Sequence, residues 1–297
     1  MSPLLTAAVF MIVLGGFLGL VIAVASKKLA VYEDPRIDQV DEMLPHANCG
    51  ACGFPGCRAF AEAVVGGKSP PSKCTVSSAD GVAAIAAFLG VDAGSAEKRV
   101  ARIACAGGKN VARFKASYSG QPTCRAAVAS GGGGKACAWG CLGFADCMTA
   151  CPFDAIHMNE HDIPVVDESK CVACNECVIA CPLKLFSLQP VSHKLWVACK
   201  SLAEGDAALA ECEVACTACG RCAADAPPGL ISIRNNLAVI DYSKNHLASR
   251  LPTERCPTGA IVWFEKNTVI KGAAAKKIIR KSALPILSDS TTTRTTP

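Results

Sequence analysis

The chain opens on an unbroken apolar run. From Ser2 to Ala25 no side chain is charged; Leu, Val, Ile, Phe, Ala and Gly dominate, and Lys27 and Lys28 follow directly. About 20 apolar residues suffice to cross the hydrocarbon core of a bilayer. The run therefore predicts a transmembrane anchor over residues 1–26, with the paired lysines placing everything after it on the cytoplasmic side. A cleaved leader is the competing reading, since Ala23-Val24-Ala25 resembles a small-residue cleavage site, but no basic segment precedes the run. Past the anchor, Tyr32 to Glu42 reads as a short polar linker and Arg58 to Val65 as a helix. Val82, Ile85, Ala86 and Leu89 recur at helical spacing within 80–89, which is ordinary core packing. Two short apolar runs further on, Ile163-Pro-Val-Val-Asp167 and Leu237-Ala-Val-Ile-Asp241, echo each other.

Cysteine changes this picture. There are 20 Cys in 297 residues, against 5 His, 3 Trp and 3 Tyr. The choice lies between a disulfide scaffold and a metal protein, and the tight C-x2-C and C-P groupings favour metal in a reducing compartment. Aromatic content of 5% is low for large packed cores, so bound metal must supply part of the folding energy. The net charge of +5 is modest and uneven: Lys266, Lys271, Lys276, Lys277, Arg280 and Lys281 crowd the region before a Ser/Thr-rich tail, Ser288 to Thr296. Such a run reads as a solvated tail, with contact to anionic lipid or an acidic partner surface as the other reading. No basic-aromatic interleaving points to nucleic acid.

The first cysteine group is Asn48-Cys49-Gly-Ala-Cys52-Gly-Phe-Pro-Gly-Cys57, completed by Cys74. Four thiols at this spacing can enclose one cube-shaped [4Fe-4S] cluster, with glycines letting backbone amides approach the sulfurs. A structural zinc ion suits four thiolates as well, and on this group alone both metals stay open. His46 reads as a loop residue, since four Cys already complete the site. Cys105 and Cys124 have no close partner in sequence, so buried inert thiols are one reading for both. Gly131 to Gly134 reads as a flexible hinge.

Cys171-Val-Ala-Cys174-Asn-Glu-Cys177-Val-Ile-Ala-Cys181-Pro182 is the C-x2-C-x2-C-x3-C-P run of bacterial ferredoxins. Three thiolates of such a run wrap one cluster and the fourth ligates the other cluster of a pair, so a second run is required. Cys137-Ala-Trp-Gly-Cys141-Leu-Gly-Phe-Ala-Asp-Cys147-Met-Thr-Ala-Cys151-Pro152 supplies it, with Phe144 at the middle position and Cys137 as the substitute. Crossed ligation then gives one cluster Cys137, Cys141, Cys147 and Cys181, and the other Cys151, Cys171, Cys174 and Cys177.

Shifting the chain by 75 residues aligns Cys124 with Cys199, Cys137 with Cys212, Cys141 with Cys216, Cys147 with Cys222 and Cys181 with Cys256. The matches mark a second ferredoxin-like module. Its partner for Cys151 is Ala226, and Asn245-His-Leu-Ala-Ser-Arg-Leu-Pro252 replaces the three-thiol loop, so one cluster is lost whole. Cys216, Cys219, Cys222 and Cys256 remain for the other, with Cys212 as a spare or alternative ligand. His246 reads as exposed or structural. The roles of Cys105, Cys124 and Cys199 stay open.

In order and motif, through Asn48-Cys-Gly-Ala-Cys-Gly-Phe-Pro-Gly-Cys57 and Cys141-Leu-Gly-Phe-Ala-Asp-Cys-Met-Thr-Ala-Cys-Pro-Phe-Asp-Ala-Ile156, residues 1–265 resemble the B subunit of the Rnf ion-translocating oxidoreductases. The resemblance implies an electron-input component of a membrane-bound translocase in the cytoplasmic membrane, taking electrons from reduced soluble ferredoxin toward NAD, with the other components of the complex and membrane lipid as partners. The expected fold is small α+β: anchor 1–26, four-Cys cluster domain 27–95, linker region 96–135, two-cluster ferredoxin module 136–190, degenerate one-cluster module 191–265 and basic tail 266–297. About four [4Fe-4S] clusters follow. There is no dinucleotide loop and no nucleophile with a base, so no catalytic site of its own is expected. A membrane-anchored redox sensor or scaffold, or the same relay in another membrane oxidoreductase, are the alternatives.

Overall fold

The computed structural model describes residues 3–29, 33–265 and 267–287. Ser2, Tyr32, Lys266 and the Ser288 to Thr296 tail, on which some of the expectations fall, lie outside the described residues. Helix α1 spans Pro3–Lys28. It is long and apolar enough to cross a membrane, and its apolar window packs against nothing else in the described chain.

The segment expected as a polar linker is helical: α2, Pro35–Met43, is capped by Asp34, whose side chain accepts the Arg36 N–H, and starts on Pro35. Ile37, Val40 and Leu44 lie three and four residues apart, a stripe too short to stand out in the sequence. It packs on Phe60 and Val64 of α3, Cys57–Val65, and on Ile85 of α4, Ala79–Leu89. Val40 and Phe60 are 0% and 1% exposed. This three-helix layer carries the first cysteine group.

The rest is a set of short strands and turns. In chain order come β1 (Arg99–Ile103), α5 (Cys124–Ala129), α6 (Asp146–Thr149), β2 (Ile156–Met158), β3 (Pro164–Val166), α7 (Glu176–Ala180), β4 (Phe186–Pro190) and β5 (Leu195–Val197). Then follow α8 (Gly205–Glu211), α9 (Arg221–Asp225), β6 (Ile231–Arg234), β7 (Leu237–Ile240), α10 (Leu251–Glu254), β8 (Ile261–Glu265) and β9 (Thr268–Lys271). The two echoing runs occupy equivalent places: β2 pairs antiparallel with β3, and β6 with β7. β5, β8 and β9 form a three-stranded sheet.

Three expectations are corrected. Residues 96–135 are no linker. β1 pairs along its length with β4, from Arg99 opposite Pro190 to Ile103 opposite Phe186, and Val100 and Ala101 are buried. Gly131–Gly134 is no hinge. All four residues have positive φ, and a Cβ on Gly134 would strike the Ala116 carbonyl, so glycine is needed for a tight packed turn. The basic stretch is no free tail through residue 287: Lys276 and Arg280 both pair with Glu213, and Leu284 and Leu287 donate backbone N–H groups to the Lys109 and Phe114 carbonyls.

The segment without thiols, expected as the lost half of a second repeat, is filled by packing. Ala226, Ala248 and Tyr242 sit on the core formed by Leu195, Leu230 and Ile261, and the Tyr242 hydroxyl donates to the Leu195 carbonyl at 3.0 Å. His246 is exposed.

Candidate metal centres

Three cysteine loops share one backbone design. In Cys171–Cys177 the positive-φ residues are Ala173 and Asn175; in Cys216–Cys222 they are Ala218 and Gly220. Each pair flanks the middle cysteine, turning the loop so that its amides face the sulfurs. The Glu176 N–H points at the Cys174 sulfur and the Ala218 N–H at Cys216. The loop Cys141–Cys147 repeats the design with Gly143 and Ala145, although its middle residue is Phe144. A Cys-Pro pair, at Cys151, Cys181 or Cys256, closes three of the sites, and at two of them the sulfur accepts an N–H four residues on: Ala155 to Cys151 and Leu185 to Cys181, both at 3.4 Å.

These loops gather the thiols into fours. Cys151, Cys171, Cys174 and Cys177 line one cavity. Cys216, Cys219, Cys222 and Cys256 line another, which brings in Cys219 and not Cys212. At the first group, Cys52, Cys57 and Cys74 pack on the helical core, and Cys49 and Cys74 lie within electrostatic reach of Cys52. The His46 side chain lies in a loop, 3.9 Å from Asp41.

The remaining set departs from the sequence expectation. Cys141, Cys147 and Cys181 share their cavity with Cys124, not with Cys137. Cys124 opens α5, where Thr123 caps the helix, and its backbone N–H donates to Asp146 Oδ1 at 2.9 Å. Asp146 immediately precedes Cys147, so one carboxylate fastens the incoming thiol to the loop it completes. Cys137 is the nearer residue in sequence, but it faces away to a different group: Cys105, Cys137, Cys199 and Cys212 line a fourth cavity.

Burial pushes the Cys147 and Cys177 thiols up to about 12, and neighbouring sulfurs add to it: Cys124 and Cys181 at Cys147, Cys171 and Cys174 at Cys177. Such quartets ionise only when metal supplies compensating positive charge, so metal binding must expel protons. Among the described residues no three His, Cys, Asp or Glu side chains come close enough to hold one metal ion. A single zinc needs four sulfurs at about 2.3 Å from one centre, whereas a four-iron cube takes one thiolate at each of its four irons. Spread thiols with inward amides fit the cube.

Two family models match the chain: an Fe-S cluster model over residues 44–76 and a 4Fe-4S binding domain over residues 163–186. The chain is 40% identical over 259 residues to the B subunit of the Na(+)-translocating ferredoxin:NAD(+) oxidoreductase complex of Acetobacterium woodii, covering 86% of this chain and 78% of that protein. It is 40% identical over 270 residues to the B subunit of the proton-translocating complex of Clostridium ljungdahlii, covering 90% and 95%.

The chain belongs to the family of Rnf B subunits.

The B subunit of the ion-translocating oxidoreductase complex of Methanosarcina acetivorans is a further relative, 36% identical over 243 residues, which cover 82% of this chain and 92% of that protein. This B subunit is accordingly an iron-sulfur protein of the [4Fe-4S] class. What spacing could not reveal is the company kept by Cys105, Cys124 and Cys199, because their partners are distant in sequence. The usable signal was arithmetic: 20 thiols divide into five fours.

Proposed function

We propose that this B subunit takes electrons from reduced ferredoxin at a site remote from the membrane and carries them along its cysteine sites toward partner subunits at the anchor, on the way to NAD. It is an electron-transfer subunit of an ion-translocating oxidoreductase complex. A [4Fe-4S] cluster, once bound, takes up and releases one electron at a time at a potential between about −700 and +450 mV, set by burial, net charge and hydrogen bonds to its sulfurs. The chain's part is to hold the sites in an order.

The observation that carries this reading is the run of contacts that links neighbouring cysteine groups. Cys219 is the one exposed thiol among the twenty, which supports an outward-facing terminus at Cys216–Cys256. At the other end, the first group sits on α2 and α3, a few residues from the anchor. Between the two, the Thr75 hydroxyl donates to the Val172 carbonyl at 2.6 Å, joining the first group to the Cys171 loop. Cys147, Cys171 and Cys177 lie in a single core. The thiols are ligands in the sets Cys49–Cys74, Cys151 with Cys171–Cys177, Cys124 with Cys141, Cys147 and Cys181, and Cys216–Cys222 with Cys256. The paired β2–β3 and β6–β7 hairpins with their crossed Cys-Pro closures support two ferredoxin-like modules. Lys27 and Lys28 after the apolar run support a cytoplasmic location for them. No charged residue interrupts the span before them, so ion movement falls to the partner subunits.

Inverted membrane vesicles test this directly. Cys171→Ala in the intact complex is expected to abolish ferredoxin-dependent NAD reduction. Undiminished NAD reduction would mean that electrons bypass this chain.

A further inference from the structure

We infer that Cys105, Cys137, Cys199 and Cys212 bind a further [4Fe-4S] cluster, and that this cluster joins the two ferredoxin-like modules into one continuous series. The inference deepens the electron-transfer reading and rests on it. Four thiols from four separate segments converge on one cavity, and Cys105, Cys137 and Cys212 are each 7–8% exposed. A free core thiol behaves as a small hydrophobe, which gives no reason for four of them to line one cavity. The backbone is shaped for them. A Cβ on Gly107 would stand 3.0 Å from the Cys212 sulfur and 3.7 Å from the Cys105 sulfur, so both sulfurs close over a glycine.

Each sulfur is also given an amide, as in the other sites. The Cys141 N–H donates to the Cys105 sulfur at 3.3 Å and the Ser201 N–H to the Cys199 sulfur at 3.5 Å. The Trp139 and Val214 N–H groups point at Cys137 and Cys212. Amides aimed at a sulfur favour its thiolate and stabilise the negative charge of a bound cluster.

The location gives the site its role. Residues 104–107 cross the seam between the modules: Ala104 donates to the Leu185 carbonyl at 2.9 Å and Ala106 to the Ala198 carbonyl at 3.0 Å. The amide that holds Cys105 belongs to Cys141, a residue of the neighbouring quartet on one side. On the other side the Cys216 N–H points at the Cys199 sulfur. The seam quartet thus touches a ligand of each flanking site, and without a cluster there the series has a break between the modules. The second repeat has lost one cluster, and the seam restores the count to five.

Cluster counting on the anaerobically purified full-length chain, by native mass spectrometry with iron and acid-labile sulfide analysis, tests the inference without a variant. Five clusters, about 20 iron atoms per chain, are expected. A chain saturated at four clusters, with the other four quartets filled, overturns the inference and leaves the four-site reading standing; two or fewer overturns both. Cys199→Ala and Cys124→Ala should each lose one-fifth of the iron, and the double variant two-fifths. Unchanged iron in Cys199→Ala contradicts the assignment. Cys199→Ser, where a hydroxyl keeps the packing, separates loss of a ligand from loss of the fold: its iron-binding chain should keep the other four clusters and a changed EPR signature for the fifth. A wild-type EPR spectrum in that folded variant contradicts the assignment.

Discussion

The Cys124 backbone N–H donates to Asp146 Oδ1 at 2.9 Å, and the Arg125 N–H donates to Oδ2 of the same carboxylate at 3.2 Å. Both oxygens are committed to holding one helix start against the loop that carries Cys147. Hydrogen bonds to a charged acceptor contribute about 1.5–3 kcal/mol each where they are well shielded. Asp146 is half-buried, so Asp146→Ala is expected to loosen this site by about 1–2 kcal/mol. The check is iron release to a chelator under anaerobic conditions, where one cluster in the variant should leave roughly tenfold faster, the rate equivalent of such a loss.

Phe144 stands where the loop design places a middle cysteine, between the positive-φ residues Gly143 (φ 83) and Ala145 (φ 64). The backbone for a three-thiol loop is therefore already in place. Phe144→Cys is expected to rescue Cys124→Ala: the single variant loses a cluster and the double variant regains it. Iron analysis of the three proteins decides the matter, and a double variant as iron-poor as Cys124→Ala would show that the loop no longer reaches the cluster.

Lys135 is 9% exposed, and its ammonium donates to the Gly107 and Cys141 carbonyls, between the seam quartet and its neighbour. Gly140 leaves room for its stem, since a Cβ there would stand 3.0 Å from Lys135 Cε. A buried positive charge favours the more negative, reduced state of a cluster beside it. Lys135→Met should lower the potential of at least one cluster by on the order of 50 mV, from one charge at an effective dielectric near 20. An EPR-monitored redox titration with unchanged midpoints would argue against that coupling.

Arg102 joins strands from the two halves of the fold. Its guanidinium is 2.7 Å from Glu168 Oε1, with side-chain exposures of 3% and 14%, and it lies 3.7 Å from the centre of the Phe264 ring. Glu168→Ala leaves that cation buried without its counter-charge and is expected to cost about 3–5 kcal/mol, while the Arg102→Met, Glu168→Ala pair should be milder. Anaerobic denaturant unfolding of the variants measures both.

The sequence showed the parts whose chemistry is local. The anchor, the helices around Phe60 and Ile85, and every cysteine in a C-x2-C loop or Cys-Pro closure could be read from spacing alone, because one turn of chain carries the whole device. The seam could not. Cys105 and Cys199 meet only because residues 104–106 extend the strand pairing from one module to the next, a relationship with no period in sequence. Cys124 and Cys137 were exchanged for a similar reason: proximity along the chain favoured Cys137, but the carboxylate of Asp146 holds α5 where Cys124 reaches the site. The repeat itself misled here, since Cys124 and Cys199 match at an offset of 75 residues yet line different cavities. Three apolar positions, Ile37 and Val40 in α2 and Leu44 at its C-cap, were too few to read as a helix before Phe60 gave them something to cover.

Rapid freeze-quench EPR of the intact membrane complex, mixed with reduced ferredoxin, tests the central claim of clusters in series most directly. Reduced-cluster signals from this chain are predicted to rise within one turnover in the unaltered complex. In Cys199→Ala, the Cys216–Cys256 site should still fill while the sites toward the anchor stay oxidised. Anchor-side clusters that fill at the same rate in both proteins would contradict a continuous path through the seam, and no reduction in either would contradict the relay itself.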